Sequence, residues 1–166
     1  MSAINVLASL FLTAVGAHAP SAAATDSGSE SRAVIATVQT LLDSWREADA
    51  KKAASVLHPQ FREVTLHLDN GEWKFFAVTR EQLLAPLDRI GKGDWDDTLI
   101  DPKVEVDGPI ANLWSHYRFR TPFTENGVFH DDAHCGIETF QLYKIDGRWL
   151  IVNFADTHVN GCPAAH

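Results

Sequence analysis

Four polar residues interrupt two otherwise apolar stretches: Ser115 and Tyr117 in NLWSHYRF, and His134 and Glu138 in HCGIETFQLY. A tyrosine hydroxyl can donate to an oxygen on which negative charge develops. A histidine or glutamate held in an apolar wall has its pKa displaced and can take up or return a proton. These are the parts of a proton abstraction beside a carbonyl, so Tyr117, His134 and Glu138 are the candidate catalytic residues. The alternative is that they are satisfied polar groups in a pocket wall, with Glu138 paired to Ser115 or to a helix residue.

Other clusters raise metal chemistry and do not support it. His130, Asp132 and His134 alternate onto one face of an extended segment, but same-face neighbours stand about 7 Å apart, long for ligands of one ion. Asp156 and His158 repeat the pattern on another strand. Asp94, Asp96, Asp97 and Asp101 lack the spacing and glycine hinge of a calcium loop, and read as a solvated, charge-guarded sheet edge. No metal and no cofactor are expected.

The elements that must carry these residues follow from periodicity and turn chemistry. Val34, Ile35, Val38, Leu41, Leu42 and Trp45 recur at helical spacing. Asp49 is placed to cap a short second helix, Ala50–Leu57, that stops before His58-Pro59. Phe61–Leu68 alternates as a strand, Asn70-Gly71 turns, and Glu72–Val78 returns. Thr79 and Gln82 form a capping box opening a helix through Leu83, Leu84, Leu87 and Ile90. Asp107-Gly108, Asn126-Gly127 and Asp146-Gly147 then separate four strands, Asp97–Val106, Ile110–Thr121, Val128–Ile145 and Arg148–Val159. Helices followed by a long antiparallel meander is an α+β pattern, with the helices on one face of the sheet.

Two-residue turns at Asn126-Gly127 and Asp146-Gly147 fix a register. Tyr117 then faces Gly136, Phe119 faces His134, Ser115 faces Glu138, Phe140 faces Asn153 and Gly136 faces Thr157. One face collects Leu113, Ser115, Tyr117, Phe119, His134, Glu138, Phe140, Trp149 and Asn153. That mixture of large apolar and few polar groups suits a ligand pocket under the helices. The opposite face receives Cys135, Ile137, Val152, Phe154, Asp156 and His158. Its apolar half asks for a second cover, which a homodimer would supply. Asp156 is kept as a ligand-binding candidate, although its parity turns it away from the pocket unless the strand bulges.

The chain has 166 residues and a formal net charge of -8, which lacks the electrostatic footprint of a nucleic-acid binder. Residues 4–15 (INVLASLFLTAV) are apolar, too short to span a bilayer comfortably, and followed by small residues. Residues 1–24 therefore read as a secretory signal peptide, 25–31 as a flexible lead-in and 32–166 as the domain. The expected location is secreted or periplasmic, with no membrane contact after signal removal. In an oxidising compartment Cys135 and Cys162 can pair. Two separate buried thiols are the alternative. Cys135 faces His158 in the register above, and Asn160-Gly161 can turn the chain back to bring Cys162 toward it, so a disulfide is expected.

The motifs WREADAKKAASVLHPQF, TREQLLAPL, DGPIANLWSHYRF and HCGIETFQLYKIDGRWLIVNFADT, in this order, resemble the nuclear transport factor 2-like superfamily, in its SnoaL-like or lumazine-binding-like bacterial branch. The resemblance covers about residues 31–160. It implies a curved, cone-shaped antiparallel sheet, a pocket on the concave side and dimerisation through the sheet. The superfamily includes isomerases, cyclases, dehydratases and non-catalytic assembly domains, and no diagnostic carboxylate pair of its enzymes can be mapped here. The expectation is a binding domain for a small apolar or aromatic molecule. A proton-transfer enzyme using the same pocket and a structural dimerisation module are the alternatives. An open pocket with unpaired polar groups would separate the first two from the third.

Overall fold

A computed structural model describes residues 27–125 and 128–162. Helix α1 (Ser27–Glu47) and helix α2 (Ala50–Val56) come first, followed by strands β1 (Leu57–Asp69) and β2 (Glu72–Thr79), helix α3 (Arg80–Leu84), and strands β3 (Asp96–Asp107), β4 (Ile110–Glu125), β5 (Val128–Ile145) and β6 (Arg148–Asn160). The strands form one sheet in the order β2-β1-β6-β5-β4-β3. The fold is α+β, as expected. Every neighbouring pair is antiparallel except β1 and β6, the second and third strands of the sheet, which run parallel.

The helices lie on the concave face. Val34, Val38, Leu41, Leu42 and Trp45 recur every three or four residues along α1 and are all buried. They pack on Leu113, Phe140, Leu142 and Ile151 of the sheet. Each such side chain removed from water contributes roughly 1.5–3 kcal/mol, so this stripe is what holds α1 down. The Asp49 carboxylate accepts from the Lys52 N–H at 2.9 Å and caps α2. Thr79 and Gln82 make both halves of the capping box of α3.

Two expectations about the helices need correction. Ser27–Ser31, read as lead-in, is the first part of α1. It is fastened there because Glu30 accepts from Lys144 Nζ at 2.6 Å and from Trp149 Nε1 at 2.8 Å. The helix expected to run to Ile90 ends at Leu84, and the chain goes on in turns through Pro86, whose ring cannot continue the ladder. Leu87 is still buried. The signal-peptide expectation lies outside the described residues.

The β4–β5 register is the expected one: Tyr117 pairs with Gly136, Phe119 with His134, Ser115 with Glu138 and Leu113 with Phe140. The β5–β6 register begins as expected at Ile145–Arg148 and Leu142–Ile151, then slips. Val152 is an extra residue on β6, so Gln141 meets Asn153, Phe140 meets Phe154 and Glu138 meets Asp156. One inserted residue exchanges the two faces for the rest of a strand. Phe154, Asp156 and His158 therefore join the concave face, and Asn153 leaves it.

Candidate functional site

A cavity of about 190 Å³ lies between the helices and the sheet. Trp45 of α1, Leu83 of α3 and Trp95, just before β3, close one side. Glu63 and Thr65 of β1, Asp97 of β3, Tyr117 and Phe119 of β4, His134 of β5, and Phe154, Asp156 and His158 of β6 form the rest. Trp45 meets Trp95 edge-on at 6.3 Å between ring centroids, and Phe154 at 6.1 Å. Phe119 lies 6.1 Å from Trp95. The result is an aromatic box at the helix side and a row of acids at the sheet side.

Tyr117 is buried, and its hydroxyl donates to Asp156 Oδ2 at 3.1 Å, with the Thr157 carbonyl oxygen at 3.2 Å. Thr65 Oγ1 donates to the other oxygen of Asp156 at 2.6 Å. Asp156 is thus the polar hub of the site. Two strands meet there: β1 supplies Thr65 directly opposite Asp156, and β5 supplies Glu138 on the other side.

Three carboxyl groups line this small volume and a fourth, Glu138, lies behind Asp156; all are held toward their neutral forms. Burial pushes the Glu63 carboxyl up to about 7, helped by the negative field of Asp156. Asp97 is 1% exposed. Burial raises its pKa, with Asp156 and Asp96 adding to the shift and the Thr98 N–H opposing it. Glu138 is fully buried between Ser115 and Asp156, and burial followed by Asp97 and Asp156 raises it well above the carboxylate range. Burial also raises Asp156, against the hydrogen bonds from Thr65 and Tyr117. The Tyr117 phenol is raised by burial and then by Asp156. The histidines move the other way. Burial, then His158 and His67, brings His134 down to about 4, and burial lowers His158. The rings of His67, His158 and His134 stack across three strands at 4.1 Å and 3.5 Å, ending on Phe119 at 4.8 Å.

Several buried polar atoms here have no hydrogen-bond partner: Asp97 Oδ1, Glu63 Oε2, both carboxyl oxygens of Glu138, and Trp45 Nε1. Buried polar groups are nearly always paired. Arg46 is near and does not serve them. Its guanidinium donates to the Asp43 and Asp96 carboxylates and to the backbone oxygen of Asp97.

Of the residues singled out in the sequence, Tyr117, Phe119, His134 and Asp156 line the cavity, and Glu138 stands behind Asp156. Ser115 does not pair with Glu138. It is locked to the backbone of Ile100, accepting from its N–H and lying against its carbonyl oxygen at 3.0 Å, where β3 bulges at Asp101-Pro102. Phe140 is core, stacked on Phe154 at 4.7 Å. Trp149 is buried beneath the start of α1, its indole nitrogen held by Glu30. Asn153 lies opposite Gln141 on the convex face. His134 was expected to be tuned toward neutrality; burial takes it far below, and Glu63 is the group that burial brings there.

Sequence reasoning missed Glu63, Thr65, Asp97, Trp45, Trp95 and His158 as site residues. The signal was available for two of them: Glu63 and Thr65 share parity with the buried Phe61. Asp97 was read as part of a solvated edge. Asp96 does stay partly exposed against Arg46, but alternation turns the next residue inward. Among the described residues no three His, Cys, Asp or Glu side chains are placed to hold a metal ion. No described helix is long and apolar enough to cross a membrane. Cys135 and Cys162 form a disulfide with 5.3 Å between their Cα atoms.

No family model matches the sequence, and no curated protein does. Solved structures do match. The association domain of CaMKII from C. elegans is 18% identical over 78% of this chain and 96% of that one, with a TM-score of 0.59. An NTF2-like protein with a cystatin-like fold from Novosphingobium aromaticivorans is 15% identical over 82% of this chain and 86% of that one, at 0.60. An NTF2-like protein of unknown function from Shewanella baltica is 14% identical over 84% and 99%, at 0.57. At these identities the likeness speaks for architecture alone: the chain has the nuclear transport factor 2-like fold.

Proposed function

We propose that this chain is an exported small-molecule-binding domain that acts as a homodimer, its ligand seated in the cavity beneath Trp45. The unpartnered Asp97 Oδ1 in the cavity wall carries this reading. A purely structural module would fill the space with its own side chains, or pair such a group, because an unsatisfied buried acceptor costs about 1–3 kcal/mol. The apolar signal-like start of the chain and the disulfide support export. Exposed Ile100, Ile137 and Tyr143 on the convex face, continued by Leu66, Trp73 and Phe75 on the β1–β2 hairpin, support a second copy as the cover. The likeness to an association domain is compatible with that.

Proton-transfer catalysis in the same cavity is the second reading, favoured by one observation. Glu63, titrating near 7, lines the same wall as the Tyr117–Asp156 pair, and a base poised near working pH is what general base catalysis requires.

Native mass spectrometry on protein exported by its own leader tests the proposal. The expected result is a dimer carrying a noncovalent compound, with each chain beginning near Thr25. Trp45 and Trp95 line the cavity, so compounds from a small-molecule library should alter tryptophan emission. Ile137→Arg should yield monomers that still bind. Retention of Met1 through Ala24 removes export from the reading, and a library in which nothing changes emission or melting removes ligand binding.

A further inference from the structure

The same cavity has a chemical preference, and the inference about it rests on the binding reading above. Its unpartnered atoms are unequal in kind. On the wall, Asp97 Oδ1 and Glu63 Oε2 lack donors and Trp45 Nε1 is the one unpartnered donor; the two unpartnered oxygens of Glu138 lie behind Asp156. Asp97 itself is 1% exposed, lines the cavity and is unpartnered at Oδ1. A neutral carboxylic acid brings one O–H and keeps acceptor capacity, so what the set lacks is N–H donors. No Lys or Arg is among the residues lining the cavity. The opposite side is an aromatic box of Trp45, Trp95, Phe119 and Phe154, whose rings meet at steep angles and so present π faces from different directions. Aromatic faces carry negative quadrupole density and attract cations within about 6 Å.

We propose that the cavity binds a small organic ammonium cation, its charged nitrogen held between the carboxyl groups of Asp97 and Glu63 and its apolar body in the aromatic box. A primary ammonium brings donors to the orphaned oxygens of Asp97 and Glu63 and a positive charge to a wall that no Lys or Arg lines. An anion would meet three acids and the negative faces of four rings. A neutral alcohol or ketone satisfies one or two of the oxygens and gains nothing from the rings beyond burial. At about 190 Å³ the cavity is smaller than the roughly 300–1,000 Å³ of sites for drug-sized ligands, which suits a single ring on a short chain.

Phenethylammonium, 2-phenylethanol and phenylacetate have similar ring-and-chain bodies and differ in charge. Each is titrated into the disulfide-intact mature chain near neutral pH and followed by tryptophan emission and calorimetry. The ammonium should bind about tenfold or more tightly than the alcohol, and phenylacetate weakest of all. Asp97→Asn keeps the side chain's size and should abolish that preference, bringing the ratio of ammonium to alcohol affinity to about one. Glu63→Gln, at a less buried position, should do the same should Asp97→Asn fail to fold. Equal or tighter binding of the alcohol or phenylacetate overturns the proposal, as does an ammonium preference that survives both substitutions. If none of the three binds but a library compound does, the cation proposal falls and the binding reading stands; if nothing binds at all, both fall.

Discussion

Gly136 lies so close to Thr157 that a β-carbon on it would stand 1.7 Å from the Thr157 carbonyl oxygen. The same oxygen lies 3.2 Å from the Tyr117 hydroxyl, and Gly136 is the β5 partner of Tyr117. The missing side chain therefore makes room for a phenol on one side and a strand carbonyl on the other. Between the paired positions Cys135–Val159 and Glu138–Asp156 the ladder is completed by a side chain, with the Ile137 N–H donating to Thr157 Oγ1 at 3.0 Å.

Gly136→Ala should consequently part β5 from β6 beside the cavity. Overpacking a tight site usually costs about 1–3 kcal/mol, and contact with backbone cannot be relieved by a rotamer change, so about 3 kcal/mol or more is expected. Urea unfolding measures it. A variant within 1 kcal/mol of the parent, by the same order-of-magnitude scale, would mean the strands already tolerate a wider gap.

Tyr117→Phe removes one hydroxyl and leaves Asp156 Oδ2 and the Thr157 oxygen short of a donor. The expected loss of stability is about 0.5–1.5 kcal/mol, with weaker ligand binding because Asp156 then keeps Thr65 as its one side-chain donor. A double-mutant cycle with Asp156→Asn tests the assignment. Coupling near zero between the two substitutions would show that Tyr117 serves only as wall.

How much of this was legible in the sequence can be read from single residues. Tyr117, Phe119, His134 and Glu138 were placed correctly on one face because the register expected from the sequence Asn126-Gly127 is the β4–β5 register observed, and strict alternation carries it along both strands. Asn153 was misplaced and Phe154 and His158 were turned outward because a bulge at Val152 has no turn residue to announce it. The contribution of β1 depends on a parallel pairing with β6, about ninety residues away, for which periodicity carries no signal. Asp97 was lost to a sound prior. Acid runs are usually solvated, and only the tertiary arrangement shows one member of this run entering the core.

Stability should fall as pH rises above neutrality. A carboxyl whose pKa is raised by folding stays protonated in the native state and ionises in the unfolded one, so the unfolded state binds fewer protons and each pH unit destabilises. The contribution is complete below the unfolded value near 4.5 and is lost as pH climbs through the folded value, which is about 7 for Glu63 and also raised for Asp97 and Glu138. The slope is on the order of 1 kcal/mol per pH unit for each such proton. The share of Glu63 is lost by about pH 7, and between about pH 7 and 9 the slope is carried by Asp97 and Glu138. His134 and His158, lowered by folding, are neutral in both states there and stay silent. Their own penalty arises in acid, as pH drops below about 6.5. Glu138→Gln should flatten the alkaline slope. A melting temperature that is constant or rises across that window would contradict burial of ionisable acids at this site.

The disulfide should matter to the cavity as well as to the fold. Cys162 follows Gly161, whose φ of 75° takes the turn that an ordinary side chain resists, and whose N–H donates to Ala133 O at 3.1 Å. The chain thus folds back on β5 and closes a loop spanning 27 residues between the cysteines. Constraining a loop of that length in the unfolded state stabilises by about 3–4 kcal/mol on the entropic account. Next to Cys135 is His134, whose ring stacks on His158 of the strand that the bridge holds down. Cys135→Ser with Cys162→Ser should therefore lower the melting temperature and weaken ligand binding, and reductant added to the parent protein should reproduce both changes. Protein made in a reducing compartment should match the double variant. If the double variant melts with the parent, the β6 end is held by its ladder to β5 and β1 alone, and the bridge contributes nothing to the site.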